Sequence, residues 1–175
     1  SVMGLVYTLS VTGHRPNKIS SDLYNVNSEL SKTYINFFKD YIAELAFKKA
    51  PGTVRCISGM ALGIDTLFAI AVILLKENGF SVELECAIPC ANHSSKWTGE
   101  SVRVYNKILE LADKVTYVSD KPYTNSCMQD RNVYMVNHAT KVLAIWDNTP
   151  GGTGNCVRYA KSVGKPVDVY HPNTI

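Results

Sequence analysis

The 175-residue sequence has no apolar stretch near the roughly 20 residues that cross a bilayer. Its first residues show no basic stretch followed by a signal-type apolar segment. Lys and Arg never occur more than two in a row, and the net charge is only +3. We therefore expect no membrane partner, and nucleic acid is an unfavoured partner. Five cysteines without framework spacing indicate a reduced, cytoplasmic protein.

Common nucleotide-binding motifs are missing too. No glycine turn carries a P-loop lysine, and there is no G-x-G-x-x-G fingerprint. Cys86, Cys90 and His93 invite a metal interpretation, but a closed zinc site needs four ligands and no second pair has suitable spacing. Cys90 as a nucleophile with His93 is a further alternative, although no third orienting group is evident. The sequence therefore predicts neither metal nor cofactor.

Alternating strand and helix patterns fill the chain. The predicted strands are Val6–Val11, Val54–Ile57, Val82–Ile88, Val115–Val118, Val142–Trp146 and Val167–Tyr170. The predicted helices are Leu23–Leu45, capped by Ser20, Ser21 or Asp22, then Ile64–Asn78, Ser101–Ala112, Met128–His138 and Val157–Val163. With 46% hydrophobic residues, this pattern predicts one α/β domain over residues 1–175. The fold class is a Rossmann-like, doubly wound, mostly parallel sheet flanked by helices.

Three glycine turns each follow a predicted strand. They are Thr12-Gly13-His14-Arg15-Pro16, Ser58-Gly59-Met60-Ala61-Leu62-Gly63-Ile64-Asp65 and Pro150-Gly151-Gly152-Thr153-Gly154-Asn155. All strand-to-helix turns of a parallel sheet emerge at one edge, so we expect these turns to converge. Bare N–H groups at a helix start favour anions, and three such turns suit a phosphate-bearing ligand. Ordinary turns and helix caps are the alternative interpretation.

Side chains beside the turns extend the candidate site. Arg15 could bind a phosphate, and His14 follows the same strand. Asp65 either binds ribose hydroxyls or caps its helix. Trp97, in a polar loop, either stacks on a base or packs as a lid. The predicted ligand-binding residues are Gly13, His14, Arg15, Ser58, Gly59, Asp65, Pro89, Trp97, Arg131, Asp147, Gly151, Gly152, Thr153, Gly154 and Asn155.

The order of these motifs resembles the SLOG superfamily, which includes DprA-like DNA-processing proteins and LOG-type phosphoribohydrolases. The closest resemblance is to its YpsA/YoqJ-like branch, found in Gram-positive bacteria and their phages. Beyond the three glycine turns, the matching residues are Ala87-Ile88-Pro89-Cys90, Trp97 and Arg131-Asn132-Val133-Tyr134-Met135-Val136. The resemblance implies a Rossmann-like fold that binds nucleotides or nucleotide-derived signals, including ADP-ribose-type molecules.

One position departs from the LOG-type pattern. Those enzymes carry a catalytic glutamate four residues after the last glycine of the turn, where this chain has Arg158. We therefore predict a binding protein for ADP-ribose, cyclic ADP-ribose or a related ligand, acting as a sensor or as a phage protein that sequesters an immune signal. The alternatives are a LOG-like nucleotide hydrolase, with Asp65, Glu100, Asp130 or Asp147 as its carboxylate, and single-stranded nucleic-acid binding. Phe38 and Phe47 lie outside the main helical stripe, which leaves room for a homo-oligomer interface.

Overall fold

The structure is a computed structural model, and it describes residues 5–175. Its strands are β1 Val6–Gly13, β2 Thr53–Ser58, β3 Val82–Ile88, β4 Lys114–Tyr117, β5 Lys141–Ile145 and β6 Val167–Tyr170. Its α-helices are α1 Pro16–Ile19, α2 Glu29–Lys49, α3 Ile64–Glu77, α4 Gly99–Leu111, α5 Cys127–Asn137 and α6 Gly152–Ser162. Two 3₁₀ helices are added, Ser21–Tyr24 and Pro172–Thr174. Within the described residues, no helix combines the length and apolarity needed to span a bilayer.

The six strands form one sheet in the order β4-β3-β2-β1-β5-β6, and every neighbouring pair is parallel. This confirms the predicted fold class. From β1 the chain builds outward through β2, β3 and β4, and α5 then carries it back to β5 on the other side of β1. The strand order therefore reverses between β1 and β5, where open α/β sheets form a crevice at their carboxyl edge.

The main core lies between the sheet and helices α2, α3 and α4. Alternate strand residues such as Leu9 and Val54 face Phe38, Ile42 and Phe68, and all five side chains are fully buried. A smaller core forms on the other face, under α5 and α6. Because helices cover both faces, the polar edge where the strands end remains the natural place for a ligand.

Two helix predictions are wrong at their starts. The predicted helix Leu23–Leu45 is interrupted: Ser20 caps the short 3₁₀ helix, and α2 begins only at Glu29, with Ser28 as its cap. The last helix begins at Gly152 rather than Val157, so it includes the glycine turn itself. Phe38 is fully buried in the main core rather than lying outside it, whereas Phe47 is exposed.

Candidate functional site

The first two glycine turns interlock at the carboxyl edge of the sheet. A Cβ atom at Gly13 would lie 2.7 Å from Ile64 Cβ, so the absence of a side chain lets β1 end against the start of α3. Pro16 starts α1, and its Cδ would lie 2.8 Å from a Cβ at Gly63. The first two turns therefore pack directly on each other, as we expected for turns at one edge of a parallel sheet.

The third turn is tied to the first by side chains. Lys18 Nζ donates to the Pro150 carbonyl at 2.9 Å. The imidazole Nε2 of buried His14 lies 2.6 Å from Asp147 Oδ1, across the point where the strand order reverses. Hydrogen bonds from Thr149, together with His14, hold the pKa of Asp147 well below its usual range. His14 and Asp147 thus fix the two strand ends that border the crevice.

The converging turns border a two-lobed cleft. One lobe, of about 400 Å³, is the glycine-turn lobe, and its lining includes Gly13, His14, Lys18, Asp65, Arg131, Gly151, Gly152 and Thr153. The other, of about 500 Å³, is the aromatic lobe, and its lining includes Tyr24, His93, Lys96, Trp97 and Tyr123. Both are lined by Arg15, Asn17, Ala61 and Met128, which therefore lie at their junction.

Two arginines converge at this junction. Arg15 Nη2 lies 4.0 Å from Met128 Sδ, and Arg131 Nη2 lies 3.9 Å from the same sulfur. A thioether is only a weak acceptor. Among residues 5–175, neither arginine forms an ion pair with a carboxylate. Two guanidinium groups held together without an ion-paired carboxylate favour the binding of an anion between them.

Arg131 is held in place by the second glycine turn. Its side chain is only 6% exposed, and its Nη1 donates to the Gly59 carbonyl. A Cβ at Gly59 would lie 2.6 Å from the Arg131 guanidinium carbon, so this glycine makes room for the cation. Burial lowers the pKa of Arg131, and the charge of Asp65 opposes that effect. The second glycine turn therefore supports a buried cation.

Helix α6 starts in the cleft. Its capping residue, Gly151, has φ +140° and ψ −164°, a conformation that is essentially restricted to glycine. Asn132 Nδ2 approaches the Gly152 carbonyl at 3.4 Å, which links α5 to this turn. The first N–H groups of α6 have no acceptor within the helix, and they lie at the positive end of its dipole. This is the physical basis of anion binding at helix starts.

Aromatic side chains form the second lobe. Trp97 is partly buried, and its ring meets those of His93 and Tyr105 edge-on, with centroids 5.0 and 5.2 Å away. Tyr24 and Tyr123 are 49% and 57% exposed although they line the same lobe. Trp97 thus packs on the fold while also lining the cleft. Exposed rings around a concave lobe are suited to stacking on a planar base.

His93 anchors the loop between β3 and α4. Its Nε2–H donates to the Met60 carbonyl at 3.0 Å, and Met60 is a buried residue with φ +59°. Burial lowers the pKa of His93 to about 4, helped by the charges of Arg131 and Arg15. The imidazole is therefore neutral at physiological pH. Its tautomer is fixed by the Met60 carbonyl, which can only accept.

The structure separates the predicted site residues into two groups. The cleft lining includes Gly13, His14, Arg15, Asp65, Trp97, Arg131, Gly151, Gly152 and Thr153. Outside the lining lie Ser58, Gly59, Pro89, Asp147, Gly154 and Asn155. Ser58 Oγ donates to the Asp65 carbonyl at 2.7 Å, and a Cβ at Gly154 would lie 3.2 Å from Trp146 Cζ2. Pro89 is buried, and the exposed Asn155 accepts from Arg158.

Several lining residues were not among the predicted ligand-binding residues, for example Asn17, Lys18, Tyr24, Lys96, Tyr123 and Met128. Lys18 carried a usable signal, because a basic residue shortly after Pro16 belongs to a proline-initiated helical turn. Tyr123 lies in an extended polar loop, where a large ring is costly unless it packs or binds. Met128 carried no such signal, since its role depends on where two distant arginines point.

The structure also bears on metal binding and on hydrolysis by a carboxylate. Across residues 5–175, no three His, Cys, Asp or Glu side chains are grouped closely enough to hold a metal ion. Among the four candidate carboxylates, Glu100 binds Arg103 and Asp130 accepts from Ser126, both in exposed positions. Asp147 is engaged by His14. Asp65 is the candidate that lines the cleft.

Comparison with known proteins shows to which family the chain belongs. The model of the YspA SLOG family matches residues 9–166, which include β2 to β5 and all of β1 but its first three residues, whereas β6 follows the matched region. The chain belongs to the YspA SLOG family. The match covers all three glycine turns, Trp97 and Arg131, so the cleft is built from the part of the chain that defines this SLOG protein.

Relatives of this SLOG chain include a prophage-derived protein and a UPF0398 protein. It is 30% identical over 132 residues to the SPbeta prophage-derived protein YoqJ of Bacillus subtilis, covering 68% of this chain and 77% of the relative. It is 31% identical over 107 residues to a UPF0398 protein of Halalkalibacterium halodurans, covering 60% of this chain and 56% of the relative.

Two solved structures share the fold. DNA processing protein A from Streptococcus pneumoniae matches 93% of this chain and 50% of its own, with a TM-score of 0.63 and 18% identity. DNA processing protein A from Helicobacter pylori, whose structure describes its single-stranded DNA binding mode, matches 93% and 64%, with a TM-score of 0.61 and 16% identity. This SLOG chain therefore spans about half to two thirds of the length of those proteins, and the likeness concerns the fold.

Proposed function

We propose that the cleft binds a nucleotide-derived small molecule such as ADP-ribose or a cyclic ADP-ribose. The observation that carries this proposal is the convergence of Arg15 and Arg131 on Met128 without a carboxylate partner in the described part of the chain. This junction lies between a helix start and an aromatic lobe. A phosphate at the junction would neutralise both arginines, and a base in the adjoining lobe would stack.

The charge of the cleft supports the same ligand class. Four lining side chains are cationic, namely Arg15, Lys18, Lys96 and Arg131, whereas Asp65 is the lining carboxylate within residues 5–175. The first N–H groups of α6 add a partial positive charge. A ligand with two phosphates gains from both sources. Each lobe has room for about one nucleoside-sized group, which fits a molecule built as base, phosphates and sugar.

The experiment is a thermal shift measurement with ADP-ribose. Gly152 begins α6, and nothing lies within 4 Å of a Cβ built there, so Gly152→Glu should fold while placing a carboxylate where phosphate binds. Gly99→Glu is the matched control, because Gly99 begins α4, is equally open, and lies outside the cleft lining. We expect ADP-ribose to raise the Tm of the wild type and of Gly99→Glu but not of Gly152→Glu. If ADP-ribose raises the Tm of Gly152→Glu as much as that of the wild type, the ligand does not bind in this cleft.

Sequestration or sensing, without cleavage, is the role we propose for this cleft. Arg158, which stands where LOG-type enzymes carry glutamate, is exposed and donates to Asn155 outside the cleft lining. The prophage origin of one relative suits a protein that removes a signal from solution. A bound ligand should therefore be released intact by heating the complex, which chromatography measures.

Nucleotide hydrolysis is a second candidate, and the position of Asp65 in the cleft favours it. Hydrolysis would release a free base or ribose 5-phosphate during prolonged incubation with ADP-ribose. If these products form and disappear in Asp65→Asn, the protein is an enzyme rather than a binding protein. Intact ADP-ribose after incubation supports binding alone.

A further inference from the structure

Asp65 lines the glycine-turn lobe, and one of its carboxylate oxygens is buried and unpaired. The residue lies in the first turn of α3 and is 6% exposed. Its Oδ2 accepts the Ala61 N–H at 3.2 Å, whereas Oδ1 has no hydrogen-bond partner in the structure as described for residues 5–175. An unpaired buried carboxylate oxygen is costly, so native proteins rarely leave one without a partner. This oxygen therefore indicates a group that the ligand supplies.

Other cleft residues do not satisfy this oxygen. Burial raises the pKa of Asp65, and the charges of Arg131 and Arg15 and the Ala61 hydrogen bond oppose that rise. Arg131 nevertheless directs its Nη1 to the Gly59 carbonyl and its Nη2 to Met128. Asp65 and Arg131 therefore act on each other through space, without a direct ion pair, and both line the lobe that contains the start of α6.

In its ionised form, which the charges of Arg131 and Arg15 favour, the Asp65 carboxylate can accept but not donate a hydrogen bond. The part of the ligand beside Asp65 must then be a donor, and a phosphate there would be repelled. The part beside Gly152 and Arg131 must be an anion, for the reasons given above. A sugar hydroxyl next to a phosphate meets both requirements in one lobe. A base amino group is also a donor, but the stacking surface for the base is in the aromatic lobe.

We propose that Asp65 Oδ1 accepts a hydrogen bond from a ribose 2-hydroxyl of the bound ligand, and that Asp65 thereby selects ribose over deoxyribose. This inference rests on the proposed function and adds the sugar to it. A site built to bind a hydroxyl discriminates strongly against the analogue that lacks it, because the buried polar group is then left unpaired. The same oxygen would disfavour DNA in this lobe, since DNA has no 2-hydroxyl.

Isothermal titration with three probes tests the inference. The probes are ADP-ribose, its analogue without the 2-hydroxyl of the adenosine ribose, and its analogue without the 2-hydroxyl of the distal ribose. We expect the wild type to bind one of the two analogues at least about tenfold more weakly than ADP-ribose. Asp65→Asn keeps an acceptor for the Ala61 N–H but places an amide donor at the free position. It should discriminate less than the wild type between ADP-ribose and the disfavoured analogue, because an amide forms a weaker hydrogen bond with a hydroxyl than a carboxylate does.

Asp130→Asn is the control variant, because Asp130 is an exposed carboxylate at the start of α5 and lies outside the cleft lining. It should retain the wild-type preference. If the wild type binds ADP-ribose and both analogues with equal affinity, the role of Asp65 is overturned while the proposed function stands. If ADP-ribose does not bind at all, the proposed function fails first. The wild-type comparison needs no variant, so poor folding of Asp65→Asn would not prevent the test.

Discussion

At the scale of single residues, the cleft combines groups that are unfavourable in isolation. Arg15 and Arg131 share a sulfur, and Asp65 has an unpaired oxygen. Met60, which lies outside the lining and accepts from the lining residue His93, has a left-handed backbone. Strained or unpaired groups that cluster at one place point to function rather than to stability. The motif order predicted Arg15, Arg131 and Asp65 as site residues. It could not predict the shared sulfur or the free oxygen, because these depend on side-chain packing between distant segments.

Arg15→Ala should weaken ADP-ribose binding by about 1.5–3 kcal/mol, the usual contribution of a hydrogen bond to a charged group. The side chain is exposed, so its loss should leave the free energy of unfolding nearly unchanged. Isothermal titration with ADP-ribose and with adenosine, which lacks phosphate, measures the effect. Arg103→Ala, at an exposed position of α4, is the control and should bind like the wild type. An equal loss of affinity for adenosine would place Arg15 beside the base instead.

His93 predicts a pH dependence of stability. Its pKa is about 4 in the folded protein, against an ordinary value of 6.5, so the unfolded chain binds the proton more readily. The contribution of the neutral imidazole is complete above pH 6.5 and is lost as the pH falls towards 4, by up to about 3 kcal/mol. Urea unfolding at pH 7, 6 and 5 should show this loss in the wild type and a smaller one in His93→Gln. Equal pH dependence in both proteins would contradict the assignment.

At the scale of elements, the strands were predicted well and the helix starts less well. The predicted bounds of β3 and β6 are those of the structure, because Pro89 directly follows β3 and the Gly164-Lys165-Pro166 turn directly precedes β6. The predicted helix from Leu23 failed because Leu23 and Val26 do face the core, but from a 3₁₀ helix and a turn. Leu23 and Val26 are therefore apolar because they pack on the core, and their helix-like spacing did not require a continuous helix. The start of α6 was missed because glycine is a poor helix former everywhere except at the ends.

Gly151→Ala should destabilise the protein by about 1–3 kcal/mol, because φ +140° with ψ −164° is unfavourable for any residue with a Cβ. The new Cβ would also lie 3.0 Å from Lys18 Nζ and disturb its bond to Pro150. Gly164→Ala is the comparison, with φ +77° and no atom within 4 Å of its Cβ, and should cost about 1 kcal/mol. Urea unfolding measures both. A smaller effect at Gly151 would show that the turn readily adopts another conformation.

At the scale of the whole molecule, alternating elements were enough to predict the sheet and the edge that carries the cleft. The strand order placed the reversal between β1 and β5, where His14 and Asp147 meet. The sequence could not predict how the edge divides into two lobes, because the loops after β3 and β4 supply every aromatic side chain of the second lobe except Tyr24. Those loops have no periodicity from which their paths could be deduced.

The whole-molecule charge leads to a prediction about DNA. The cleft lining supplies four cations within the described residues, so a single strand bound there would release few counterions. At about 0.15 M salt, fluorescence anisotropy should show no saturable binding of oligodeoxythymidine at micromolar protein. The Helicobacter pylori DNA processing protein A serves as the positive control. Tight binding whose logarithmic salt slope is steeper than about −3 would need more phosphate contacts than this cleft provides.

The interlocked turns also constrain how this sequence can evolve. The space that a Cβ would take at Gly13 is occupied by Ile64. Pro16 occupies the same space at Gly63, and Arg131 does so at Gly59. Each pair joins segments that are far apart along the chain, and in each pair one member is small because the other is large; at Gly63 the φ of +87° also favours glycine. A mutation that enlarges one of these glycines is tolerated only if its partner shrinks in the same lineage. Among descendants of a common ancestor, these positions should therefore change together or not at all.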